Sequence, residues 1–214
     1  MWIIKLGGSL LGKPELAQWL EIIVQQCDGK VVIVPGGGIL ADAVREVQKL
    51  SNVGDAVAHQ MALLAMDQYG MMLAGLNPAL VTASSELEIA ERGWQHRGIV
   101  WLPSKMVLAD ETIPKNWQVT SDSLAAWLAT KLGAEQLILV KSKRLVKSKQ
   151  LNVDANPAQM TIQAIYDEVL IDEAFTEFCE SSYQTWLVHK SDFYLFEHGF
   201  SLRALAHHAV EVVG

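Results

Sequence analysis

The residues best equipped for chemistry stand at the start of the chain, in Lys5-Leu6-Gly7-Gly8-Ser9-Leu10. They follow the apolar run Trp2-Ile3-Ile4 and precede a helix expected to begin near Pro14. A buried strand thus ends in a turn that carries one cation, two glycines and a hydroxyl. Glycine has no Cβ, so its backbone N–H can approach an anion closely. A lysine on the strand just before such a turn can reach the same anion, and the chemistry on offer is phosphate binding. Taken alone, a plain tight turn is the commoner use of such a pair.

A second turn adds weight. Val31-Val32-Ile33-Val34-Pro35 runs straight into Gly36-Gly37-Gly38. Two glycine turns, each after an apolar strand and before a helix, would share the carboxyl edge of a parallel sheet, where open α/β sheets bind ligands. Neither turn fits G-x-x-x-x-G-K-[ST] or G-x-G-x-x-G, which sets aside both of those nucleotide motifs. A third stretch, Thr120-Ser121-Asp122-Ser123, offers three successive good N-cap residues ahead of the stripe Leu124, Trp127, Leu128 and Leu132. A well-capped helix explains it equally well. A fourth is basic: Lys141, Lys143, Arg144, Lys147 and Lys149 follow the apolar run Leu137-Ile138-Leu139-Val140 in an otherwise acidic protein. Such a run is usually a solvated loop. On an edge with two anion turns, a polyphosphate-facing loop is an equal reading.

The elements that must position these residues alternate. Leu16, Trp19, Leu20, Ile23, Val24 and Cys27 recur at helical spacing, as do Ala41, Val44, Val47 and Leu50. The opening is therefore β-α-β-α, the pattern of a parallel sheet with helices packed on it. Residues 55–76 read as one long helix with Met61, Leu64, Ala65, Tyr69 and Met72 near one face, and with His59 in its first turns. Its four methionines suit an adaptable core helix or a subunit interface. Further on, the pattern predicts a strand at 80–82, a helix at 84–92 and a strand at 99–102. Met106-Val107-Leu108 reads as a short strand, 152–157 as turn-rich and 172–179 as helical. A strand at 185–189, a helix at 201–207 and a strand at 209–213 complete the pattern.

The totals bound the function. At 214 residues, half of them hydrophobic and 19% charged, the chain suits one compact α/β domain. A net charge of −7 argues against a nucleic-acid partner, because counterion release needs a basic face. Cys27 and Cys179 lie far apart without metal-ligand spacing, as expected of reduced thiols in a cytoplasmic protein. The first residues do not read as a signal peptide, and the longest apolar stretch is broken by Asp67 and Gln68, so no membrane partner is expected.

Together, Lys5-Leu6-Gly7-Gly8-Ser9, Val34-Pro35-Gly36-Gly37-Gly38 and Thr120-Ser121-Asp122-Ser123-Leu124-Ala125 resemble the motifs of the amino acid kinase superfamily, in order and spacing. That group includes N-acetylglutamate, aspartate, uridylate and isopentenyl phosphate kinases. The resemblance covers residues 2–141 well and the last third loosely. His59-Gln60-Met61-Ala62, Ala65 to Gly70, and Trp117 to Ala129 look like the small branch that makes methanofuran precursors. That branch phosphorylates 5-(aminomethyl)-3-furanmethanol phosphate to its diphosphate.

The resemblance implies a three-layer α/β sandwich with a mainly parallel central sheet, the carbamate kinase-like fold. ATP would lie over the C-terminal half and a small-molecule acceptor over the N-terminal half. It implies that Lys5 contacts the transferring phosphoryl group, that Gly7, Gly8 and Ser9 face phosphate, and that Asp122 holds catalytic lysines. Gly36, Gly37, Gly38, Thr120 and Ser121 would lie toward the acceptor. His59 falls where uridylate kinases carry an acceptor-binding aspartate. The long helix matches the family's usual dimer interface, which implies a homo-oligomer. Two departures stand out. Lys141-Ser142-Lys143-Arg144 replaces the family's Thr-Asp-x-Asp-Gly segment, and the later stretch with the second catalytic lysine is missing. Lys141 is expected to supply that charge, with Lys143 as substitute. No cluster of acidic ligands is visible, so Mg²⁺ would ride on ATP oxygens. Another phosphate monoester or a carboxylate remains open as acceptor, as does a non-catalytic nucleotide-binding subunit.

Overall fold

Continuous apolar runs become the central strands because both of their faces are covered. The computed structural model describes residues 1–143, 158–168 and 170–213. In chain order the elements begin β1 (Trp2–Leu6), α1 (Pro14–Gln26), β2 (Val31–Pro35), α2 (Gly38–Ser51), α3 (Asp55–Leu76) and β3 (Leu80–Ala83). They continue through α4 (Glu86–Trp94), β4 (Gly98–Trp101), α5 (Ser104–Ala109), α6 (Ser121–Lys131) and β5 (Gln136–Lys141). Then come β6 (Ala158–Thr161), α7 (Ile162–Asp167), α8 (Phe175–Phe178), β7 (Gln184–His189), α9 (Leu202–His208) and β8 (Val210–Val213). The sheet has the order β3-β4-β2-β1-β5-β7-β8-β6, and its described pairings are parallel except β7 with β8.

Strand β1 lies between β2 and β5, and its register does most to build the site. Leu6 pairs with Pro35 on one side and with Val140 on the other. Gly7, Gly36 and Lys141 are the next residues of their strands, so both glycine turns and Lys141 leave the sheet at one edge. Side chains alternate along a strand. Trp2, Ile4 and Leu6 pack with α1 residues Leu16, Trp19, Leu20 and Ile23. Ile3 of β1 and Leu137 and Leu139 of β5 pack with Leu124, Ala125 and Leu128 of α6. Lys5 and Lys141 continue this second set by period two, which aims both at α6.

Some expectations needed correction. Met106-Val107-Leu108 is not a strand but the middle of helix α5, which starts after Pro103; Asp67 of α3 accepts bonds from the Ser104 amide and hydroxyl at its first turn. Three apolar residues fit either element, and this tertiary cap selects the helix. The helix expected over 172–179 shrinks to α8, since Asp172 is engaged elsewhere. In α3, Leu64 is 45% exposed instead of buried, while Ala58, Leu63, Met66 and Leu73 face the core. A helix apolar on most sides gives the sequence no phase to read. Strand β6 and helix α7 were not anticipated, because β6 is an edge strand with a largely exposed Ala-Gln-Met-Thr sequence. Arg144, Lys147, Lys149 and the turn-rich 152–157 lie outside the described residues.

Candidate active site

The two glycine turns touch each other. A Cβ built on Gly8 would stand 2.1 Å from the Gly38 Cα, and one on Gly36 would stand 2.5 Å from the Gly8 amide nitrogen. Gly38 also has φ +54°, which disfavours any residue with a side chain. Backbone contact between the turns therefore accounts for these glycines before any ligand is considered. Gly8→Ala should cost about 3 kcal/mol or more, the overpacking range where rigid backbone cannot move aside. A thermal midpoint matching the unsubstituted protein's would contradict this packing. Gly36 departs from expectation in a second way: its N–H donates to the Leu6 carbonyl at 2.9 Å. It extends the β1–β2 ladder, so packing, and not an amide offered to a ligand, is what it contributes.

Lys5, Asp122 and Lys141 meet as the alternation requires. The Lys5 Nζ is 3.0 Å from Asp122 Oδ1, and the Lys141 Nζ donates to both carboxylate oxygens at 2.8 Å. Lys5 and Asp122 are buried, and Lys141 keeps only 11% side-chain exposure. Two ammonium groups on one carboxylate leave a local excess of one positive charge. Burial pushes the Asp122 carboxyl up, but Lys5 and Lys141 outweigh it and hold it down at about 2. Burial and then the Lys5 charge bring the Lys141 ammonium down to about 8, against the opposing pull of Asp122 and Asp172. Gly7 lies under this cluster, since a Cβ there would be 3.3 Å from the Lys5 amine. Lys143 is drawn away from it, with its Nζ bonded to the Glu168 carbonyl at 3.0 Å and carboxylate at 3.1 Å. The cluster is completed by Lys141.

Beside the turns lies a cavity of about 470 Å³, lined by Gly8, Ser9, Gly36, Gly37, Gly38, Thr120 and Ser121 among others. That is within the usual range for small-molecule sites. The first turns of α2 and α6 both border it, and the leading N–H groups of a helix have no intrahelical acceptor. Two helix N-termini at one cavity favour an anion there. Ser9 Oγ is 2.9 Å from Ser142 Oγ, which ties the first turn to the end of β5.

The opposite wall is largely apolar, with Ala62, Leu63 and Met66 of α3, Val119 and Leu124. His59, one turn ahead of these α3 residues, is buried. Its Nδ1 lies 3.1 Å from the Asn116 carbonyl, which can only accept. Nδ1 therefore carries the proton, and Nε2, buried and without a partner among the described residues, keeps a bare lone pair. Burial lowers the His59 pKa, which keeps the ring in this neutral form.

Several lining residues escaped the sequence reading. Arg45 donates to Asp42 at 2.9 Å and lies 4.3 Å from the centre of the Trp117 ring. Asp42 and Arg45 follow Gly38 by one and two helical turns, a spacing that the sequence does contain. Asp172 also escaped. Its carboxylate accepts from the Thr120 amide at 3.0 Å and hydroxyl at 2.6 Å, and from the Ser123 amide and hydroxyl. No local pattern signals a partner so distant in sequence.

Comparison with known proteins agrees with this architecture. The sequence pattern described as the amino acid kinase family matches residues 1–157. Over 142 residues the chain is 32% identical to the [5-(aminomethyl)furan-3-yl]methyl phosphate kinase of Methanocaldococcus jannaschii, covering 65% of this chain and 64% of that protein. The match thus spans just under two thirds of the relative's length. The fold is similar to the uridylate kinase from Archaeoglobus fulgidus, with TM-score 0.69, 16% identity and 99% of both chains covered. It is also similar to the UMP kinase from Ureaplasma parvum, with TM-score 0.67, 16% identity and coverage of 100% of this chain and 98% of that one. The chain belongs to the amino acid kinase family.

Proposed function

We propose that the protein is an ATP-dependent kinase that transfers the γ-phosphoryl group to an anionic small molecule held in the cavity between α2, α3 and α6. The observation that carries this reading is the pair of buried amines on Asp122, at the sheet edge that also bears both glycine turns. Phosphoryl transfer asks a protein for alignment and fixed positive charge more than for covalent chemistry. In the step, an acceptor oxygen forms a bond to the γ-phosphorus, the bond from that phosphorus to the β,γ-bridging oxygen breaks, and ADP leaves with the electron pair. Lys5 and Lys141 meet the charge on the moving group, and Asp122 keeps them side by side. Among the described residues no group of three or more His, Cys, Asp or Glu could hold a metal ion. Mg²⁺, bound through ATP's own oxygens, would neutralise phosphate charge.

A phosphate monoester, with a second pKa of about 6, is already anionic at neutral pH and needs no general base. We infer that the acceptor is 5-(aminomethyl)-3-furanmethanol phosphate. The helix N-termini suit its phosphate and the apolar wall suits its ring. The bare His59 Nε2 suits its ammonium, because a lone pair there calls for a donor. Isopentenyl phosphate has no such donor. ADP release and the phosphorus NMR spectrum of the product, measured over a panel of monophosphates and carboxylates, test this. A new phosphoanhydride from the aminated furan phosphate supports the assignment, and turnover with a different acceptor replaces it. ATP binding with no transfer to any acceptor would favour a nucleotide-binding subunit.

His59→Leu gives a sharper result. A hydrogen bond to a charged group is worth about 1.5 kcal/mol, so KM for the aminated acceptor should rise roughly tenfold. KM for the analogue bearing methyl in place of aminomethyl should stay put. Equal changes for both would remove His59 from recognition of the amine. A second copy of the chain is proposed to pack against α3, where Val57, Leu64 and Met71 are exposed at seven-residue intervals. Light scattering should give a dimer that Leu64→Glu weakens. A monomer at micromolar concentration would contradict it.

A further inference from the structure

Helix α6 is capped from outside. Its N-cap residue, Thr120, makes no cap bond with its own side chain. The cap comes instead from Asp172, in the segment between α7 and α8, which takes four bonds from Thr120 and Ser123. The neighbours of Asp172 fasten the same stretch: the Ala174 N–H donates to the Gln118 carbonyl at 3.2 Å, and Gln118 Nε2 donates to Glu173 at 2.9 Å. Asp122 lies between the two residues that Asp172 holds. A carboxylate that accepts four hydrogen bonds fixes a turn more firmly than one N-cap hydroxyl does.

We propose that Asp172 is a positioning residue for phosphoryl transfer: it locks the first turn of α6 so that Asp122 presents its carboxylate to Lys5 and Lys141 together. The proposal rests on the kinase reading above for its effect on turnover, but its geometric content does not depend on that reading. Among the described residues, the groups facing the Lys141 amine are Lys5 from β1, Asp122 from α6 and Asp172; His189 of β7 is its register neighbour in the sheet. Asp172 therefore acts in two ways, through the turn it holds and through its charge, which favours the protonated Lys141.

A cap that served only stability would lower the melting temperature and nothing else. Asp172→Asn should lower kcat at least tenfold while KM for ATP stays within about threefold, a split that marks lost transition-state stabilisation. Ser85→Ala, which removes the side-chain cap of α4, serves as a control for lost helix capping and should leave kcat unchanged. Independently of any activity, NMR titration of Cε-labelled lysine should show the Lys141 midpoint moving to lower pH in Asp172→Asn. If that variant does not fold, Ser123→Ala removes one of the four bonds and keeps the charge. It should lower kcat several-fold and leave the Lys141 midpoint in place. An unchanged lysine titration in folded Asp172→Asn overturns the proposal, as does unchanged kcat in an active enzyme for whichever variant folds. Absence of transfer by the unsubstituted protein would instead sink the kinase reading, leaving the lysine titration, or the Asp122–Lys141 geometry in a structure of Ser123→Ala, to decide the role of Asp172.

Discussion

Lys5→Ala should leave the protein folded and reduce turnover by a factor on the order of 10² to 10⁴, the range for losing one charge-stabilising donor. The fold should survive because Asp122 keeps Lys141 as its partner at 2.8 Å, so no buried charge is stranded. The pH profile should carry a second signature. In the unsubstituted protein, kcat/KM for ATP, which reports the free protein, should fall as pH rises through about 8, where the Lys141 ammonium gives up its proton. Lys5 is one cause of that low value, by repulsion of one ammonium by another. Removing it should move the alkaline limb of the residual activity to higher pH. Rates and pH limbs matching those of the unsubstituted protein would take Lys5 out of the mechanism.

Asp122→Asn should be harsher on stability. The carboxamide keeps the shape but removes the one carboxylate that both buried amines touch, leaving Lys141 only the charge of Asp172, and breaking a buried pair in this way costs about 3–5 kcal/mol. The protein can escape part of this by releasing the Lys141 proton, since its ammonium is already held near 8 with Asp122 present. The sign follows from that. Below pH 8 the unsubstituted protein keeps Lys141 charged and paired, and the variant must pay to deprotonate it or to bury it unpaired. At pH 9 the proton is already mostly gone in both. The loss in melting temperature should therefore be larger at pH 6 than at pH 9, and turnover should be low at both. An equal loss at the two pH values would show that Asp122 acts on α6 as a cap and not on the lysines as a counter-ion.

Much of this site can be read from the chain because its parts are local. An apolar run followed by glycines announces a strand and its turn, and period-two alternation along β1 and β5 sends Lys5 and Lys141 to one face. The parallel order then brings the turns to one edge. What the chain hides is set by distant partners. Asp172 reads as the start of a helix until Thr120 and Ser123 are seen around it, and Met106 to Leu108 read as a strand until Asp67 is found at the first turn of α5. The Gly36 amide looks available to a ligand until the Leu6 carbonyl is seen to accept from it. In helix α3 Ala65 and Tyr69 are buried as expected, but Leu64 is exposed, because apolar residues nearly surround the helix and leave its phase unmarked. In each case a long-range contact decided between local options that differ by little.

The most direct test is a crystal structure with ADP, Mg²⁺, the furan phosphate and a planar fluoride group standing for the phosphoryl in flight. That group should lie within about 3 Å of both the Lys5 and Lys141 amines, the distance at which a donor stabilises transferring charge. Asp122 should still bridge the two lysines. A fluoride group bound away from that pair, with Lys5 and Lys141 contacting only Asp122, would contradict it.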